Sequence, residues 1–196
     1  MDTPLPTTKL EAVNLMLYEI GEAGVDALDS DLEEVRTALT MLDNTLITVL
    51  MKGWSFNTEY TTLEPAASTG SVEVPATTLQ VDAANPYEAV AQRGKYLYDV
   101  ANKTFVFQRP VKVKLVLSLE FDDLPMHAKA FVLARAGRKF GERFLGAQNT
   151  SAFSQQHELE AQQAFNQVEA RVADHNILTG SSASQRILNR RPRSRR

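Results

Sequence analysis

An α+β fold follows from three features of the sequence. Apolar residues recur at helical spacing in two stretches near the start and two toward the end. The stretch between them, about residues 56–121, is rich in Thr, Val and Tyr and alternates with period two. Pro65, Gly70, Pro75, Pro86 and Gly94 break that middle stretch into short pieces, as turns between strands do. The reading is a four-helix domain, with helices at about 9–20, 31–52, 125–145 and 152–174, carrying a small inserted antiparallel β-rich domain.

The first helix opens at Thr8, with Glu11 three residues on as a capping box, and its face is Leu10, Val13, Leu17 and Ile20. Gly21 stops it. A short acidic loop follows, and Ser30 with Glu33 reads as a second box. The second helix then carries the longest clean stripe, Leu32, Val35, Leu39, Leu42, Leu46 and Val49, and ends at Gly53. In the β-rich part the alternating sets are Val72/Val74, Leu79/Val81, Tyr96/Tyr98/Val100 and Val113/Leu115/Leu117/Leu119. Residues 95–108 read as a hairpin turning at Ala101-Asn102-Lys103, and 112–121 as one strong strand. Asp122-Asp123 before Leu124-Pro125 signals a helix start. Val132, Ala136, Phe140 and Phe144 form the third stripe, which ends at Gly146. The fourth helix begins at Ser151 or Ser154 and presents Ala161, Phe165, Val168 and Val172 to about residue 174. Thr179 to Ser184 reads as a Gly/Ser loop. Each helix has one apolar face, so the four are expected to pack together. The predicted division is 1–55 with 122–180 as the helical domain, 56–121 as the β-rich domain, and 181–196 as a flexible arginine-rich tail.

The 196 residues carry a net charge of −3, but unevenly. Residues 186–196 hold six Arg and no acid, leaving 15 basic and 24 acidic groups, net −9, on residues 1–185. An acidic body with a basic tail points to an interaction arm. The candidates are Arg186, Arg190, Arg191, Arg193, Arg195 and Arg196. Nucleic acid, an acidic protein surface and an anionic membrane all fit that charge, as does a plain solubility tail. No aromatic interleaves the arginines, which argues against stacking on single strands. No apolar run is long enough to span a bilayer, and residues 1–10 carry no signal-peptide pattern. Cysteine is absent, which excludes disulfides, thiolate nucleophiles and Cys-based zinc sites.

The search for catalytic chemistry returns little. His127, His157 and His175 have no metal-ligand spacing and read as surface or helix-end residues. Asp122 and Asp123, with Glu120, are the one carboxylate group suited to glycoside hydrolysis, although a helix cap explains the pair more simply. No phosphate-binding loop or nucleophile elbow is present. Gly137 and Gly141 fit close helix packing better than a ligand site. The expectation is no catalytic residue, no metal and no cofactor. Arg135, Arg138, Lys139 and Arg143 share one helix, and Arg138 can pair with Glu142. The set reads as a partly paired solvated face or as a surface for a partner.

Several blocks together resemble one family. They are Ala12-Val13-Asn14, Ile20-Gly21-Glu22, Lys52-Gly53-Trp54-Ser55-Phe56-Asn57, Arg93-Gly94-Lys95-Tyr96-Leu97-Tyr98-Asp99 and Asp123-Leu124-Pro125. The last is Arg138-Lys139-Phe140 with Glu142-Arg143-Phe144-Leu145-Gly146-Ala147. In order and spacing, over about residues 10–175, they resemble the tail tubular protein A family, the head-to-tail adaptors of autographivirus-type short-tailed bacteriophages. The resemblance reaches neither the arginine tail nor residues 61–84. It implies a structural virion protein with a helical and a β-domain, assembled in the host cytoplasm, where a cysteine-free chain is at home. It further implies a homo-oligomeric twelve-fold ring below the portal protein, continuing the channel for double-stranded DNA without sequence-specific binding. That ring would meet a hexameric nozzle of the tail tubular protein B kind and a tail fibre, and no membrane. The helical domain would face the portal and the β-rich domain the nozzle and fibre. The competing expectations are a virion-associated glycan hydrolase using Asp122, Asp123 or Glu120, and a nucleic-acid-binding module using the tail.

Overall fold

The computed structural model describes residues 5–146 and 155–180, the last eight of these by backbone only. Among them are four α-helices, α1 (Lys9–Glu19), α2 (Glu33–Leu50), α3 (Met126–Leu145) and α4 (Gln155–Gly180). Five strands lie between α2 and α3: β1 (Thr58–Leu63), β2 (Thr78–Ala83), β3 (Val90–Arg93), β4 (Tyr96–Asp99) and β5 (Val111–Leu117). All pairings are antiparallel. One sheet has the order β1-β5-β2, and β3 and β4 form a separate hairpin.

The caps explain the helix limits. Thr8 and Glu11 form the reciprocal capping box at α1. At the other end Glu22 N–H donates to the Leu17 carbonyl and Gly21 N–H to that of Tyr18, a Schellman closure with Gly21 at φ +82°. The second box does not form. Ser30 Oγ accepts only from Leu32 N–H, at 3.4 Å, and Leu32 caps α2 without a side-chain bond. The helix therefore spans 33–50 instead of 31–52, and Leu32 lies exposed outside the stripe. Gly53 sits at φ +70°, where a Cβ would come within 3.0 Å of Val116 Cγ2. The turn after α2 therefore uses a residue without a side chain.

Two buried clusters organise the rest. The first joins Val13, Met16, Leu17, Val35, Leu42, Leu46, Val49 and Leu50 of α1 and α2 to Phe131, Val132, Ala136 and Phe140 of α3 and Phe165 of α4. Gly137 and Gly141 are buried on α3 as well. The second cluster joins Val72, Val74, Val81, Leu97, Val111, Val113 and Leu115.

Several expectations need correction. Thr179 and Gly180 belong to α4, which continues past residue 174; the starts assigned to Ser151 and Ser154 lie outside the described residues. Val172 is exposed, because α4 meets the core chiefly at Phe165. The main hairpin is β3–β4, turning at Gly94-Lys95, whereas the 101–103 turn is closed by a single bridge between Asp99 and Thr104. In β4 the buried residue is Leu97, of opposite parity to Tyr96 and Tyr98, because segment 72–74 packs on that side. β5 ends at Leu117; Ser118 and Leu119 leave the ladder, and Phe121 enters the helical core from a short 3₁₀ turn, Phe121–Asp123.

Candidate assembly surfaces

The Lys52–Asn57 block is the joint between helices and sheet. Trp54 Nε1–H donates to the Val49 carbonyl at 2.7 Å, and its ring meets Phe165 edge-on with centroids 4.5 Å apart. Asn57 is buried. Its Oδ1 accepts from Trp54 N–H at 2.8 Å, and its Nδ2 donates to the carbonyls of Leu50 (3.0 Å) and Leu117 (2.8 Å). One side chain thus ties the end of α2 to the end of β5.

The same joint holds α4. Glu169 is buried, accepts from Ser55 N–H at 3.0 Å, and lies 3.1 Å from Nε2 of His127. Of the two readings given for it, His127 takes the helix-end one: it sits in the first turn of α3, half-buried between the rings of Phe56 and Phe165. Sequence reasoning missed both Glu158 and Glu169. Their signal was present: both fall on the helical face that carries Phe165 and Val172, and an acid on an apolar stripe implies a partner across it.

The α3 basic set divides. Arg138 pairs with Glu142 at 2.5 Å, as its spacing predicts, and also with Glu158 of α4 at 2.5 Å. Arg135 lies 3.5 Å from Glu158. Hydrogen bonding to Glu158, with Glu142 adding to it, holds the Arg138 guanidinium pKa above its ordinary value. Arg135 and Arg138 thus clamp α4 onto α3, while Lys139 and Arg143 stay exposed. The six tail arginines lie outside the described residues.

Asp122 does cap a helix, but a different one from that predicted. Its Oδ1 accepts from Lys9 N–H at 2.6 Å, at the start of α1. Its backbone carbonyl, with that of Thr7, receives the buried Lys129 ammonium at 2.8 and 2.6 Å. Among the described residues no group of His, Asp and Glu side chains is arranged to hold a metal, and no helix is long and apolar enough to cross a membrane. The surface instead offers contact residues. Tyr60 on β1 is 73% exposed and Tyr87 94%, with Phe105 and Val106 exposed near the 101–103 turn. Arg93 lies over the Tyr98 ring at 3.6 Å. Exposed aromatics beside Arg are the composition of protein–protein contacts.

Comparison with known proteins agrees with that character. Residues 10–175 match the tail tubular protein family. Tail tubular protein A of Klebsiella phage KP34 is 33% identical over 124 residues, 63% of this chain, and the match spans 66% of that relative's length. The matched family span includes the 52–57 joint, all five strands, α3 and α4 as far as residue 175. The chain belongs to the tail tubular protein family and is a structural component of a bacteriophage tail.

Proposed function

We propose that the protein is a head-to-tail adaptor, forming a twelve-fold ring between the portal and the tail nozzle and lining the DNA ejection channel. The observation that carries this reading is the family match over residues 10–175 on a chain that pairs a helical core with a small β-rich unit. In it, 1–55 with 122–180 is the ring-forming, portal-facing domain, and 56–121 is the inserted domain facing the nozzle and fibre. The net −9 of residues 1–185 suits a channel through which DNA slides, since a lumen rich in cations would hold phosphates. The tail Arg186, Arg190, Arg191, Arg193, Arg195 and Arg196 docks on an acidic portal surface, and Lys139 and Arg143 supplement it.

Electron microscopy of the protein bound to portal-containing particles tests the reading. A twelve-fold ring between portal and nozzle is expected; a protein that associates with neither overturns it. A chain ending at Gln185 should join such particles with lower affinity and a weaker salt dependence. Unchanged binding would remove the tail from the portal contact while leaving the ring intact.

A further inference from the structure

β1 is a sheet edge that the described chain leaves open. Its six residues pair in continuous register with β5, from Thr58 opposite Val116 to Leu63 opposite Val111. On the other side, among the described residues, no backbone group bonds to it. Proteins blunt such edges with lysine, proline, bulges or a covering element. Thr-Glu-Tyr-Thr-Thr-Leu has none of the first three, and its four central residues are exposed. The 72–74 segment lies along β4, and β3 packs near β2. Among the described residues β1 has no such neighbour.

The chemistry of the edge names its occupant. A row of free N–H and C=O groups takes an extended strand, and the side chains decide which one. Antiparallel self-pairing centred on Tyr60 sets Thr58 opposite Thr62, Glu59 opposite Thr61, and Tyr60 opposite the Tyr60 of the second copy. No like charges meet, and the exposed tyrosine gains an aromatic cross-strand partner. A slip of one residue toward the start of the strand sets Glu59 against Glu59, and a slip the other way loses the aromatic pair. The strand is therefore self-complementary in one register.

We propose that in the free protein the outer edge of β1 is closed by β1 of a second copy, antiparallel and centred on Tyr60. The result is one six-stranded sheet, β2-β5-β1-β1-β5-β2, across a twofold axis. Such a contact closes at two copies, so it describes the protein before assembly and requires neither ring nor portal.

The absence of cysteine makes the test clean. Tyr60→Cys supplies a single thiol, and opposed Cβ atoms on an antiparallel pair lie about 4.5–5.5 Å apart. A short bifunctional maleimide should link this variant into a dimer and leave Thr40→Cys, exposed on α2, as monomer. In sedimentation the unmodified chain should show a monomer–dimer equilibrium. Tyr60→Lys should raise its Kd roughly tenfold, by removing the aromatic pair and opposing two cations. Mixing Tyr60→Lys with Tyr60→Glu should restore the dimer, which neither misfolding nor a contact elsewhere would do. The proposal is overturned by a chain that stays monomeric, by a dimer indifferent to Tyr60→Lys, or by equal linking at position 40. Larger rings without linking at position 60, or linking of position 60 to a different tail protein, overturn it as well.

Discussion

Asn57 uses both ends of its carboxamide to tie the end of α2 to the end of β5. Asn57→Ala leaves the Leu50 and Leu117 carbonyls without their buried donor. A loss of about 2–3 kcal/mol is expected in urea unfolding. Among the described residues, Phe165 is the one fully buried apolar side chain of α4, stacked on Phe131 at 5.3 Å and met by Trp54. Phe165→Ala should cost about 3–5 kcal/mol, measured in the same way. Glu11 carries a pH dependence of known sign. The Thr7 backbone N–H, followed by the Thr7 hydroxyl and the Thr8 N–H, holds its carboxyl below the ordinary range. A depressed carboxyl contributes stability above its unfolded pKa and loses it as pH falls through the folded value. Glu11→Gln should therefore lower Tm at neutral pH, and the two curves should converge as pH falls through the folded carboxyl's lowered range.

At the scale of elements, the helices differ in what holds them. α2 buries seven residues along its length, whereas α4 meets α3 through Phe165, Glu158 and Glu169. Amide hydrogen exchange should be faster in α4 than in α2, and the gap should widen at about 1 M salt, where ion pairs are screened. The same contrast explains what the sequence disclosed. α2 and α3 were legible because burial imposed a stripe along most of each helix, broken only at Leu32 and Phe144, which are exposed, and β5 because its core face alternates. The β4 face was misread because Tyr96 and Tyr98 have strand-forming side chains, while the buried position, Leu97, is set by a segment more than twenty residues away. The Ser30 box failed because a serine and a glutamate at the right spacing say nothing of where the chain before α2 runs. Arg138 with Glu142 could be foreseen as neighbours on one helix; Glu158 required knowing how α4 lies across α3.

At the scale of the molecule, the arithmetic of charge acquires a direction. Twelve copies of a −9 body place roughly a hundred negative charges around the proposed channel, an environment that repels duplex DNA from the wall. The tail-protein family was legible in the sequence blocks that carry the resemblance. The clamp on α4 was not, because its ion pairs join residues brought together only by folding.

The Asn57 joint also has a mechanical meaning. Covalently, the β-rich segment hangs from the helices by two strands of backbone, one leaving α2 and one entering α3. Asn57 cross-ties those two strands beside the core, and Ser55 fastens the first of them to α4 through Glu169. A pull on the sheet is thereby shared among three helices before any one of them can peel. Under tension the two parts should give way together, as a single rupture and not as two steps.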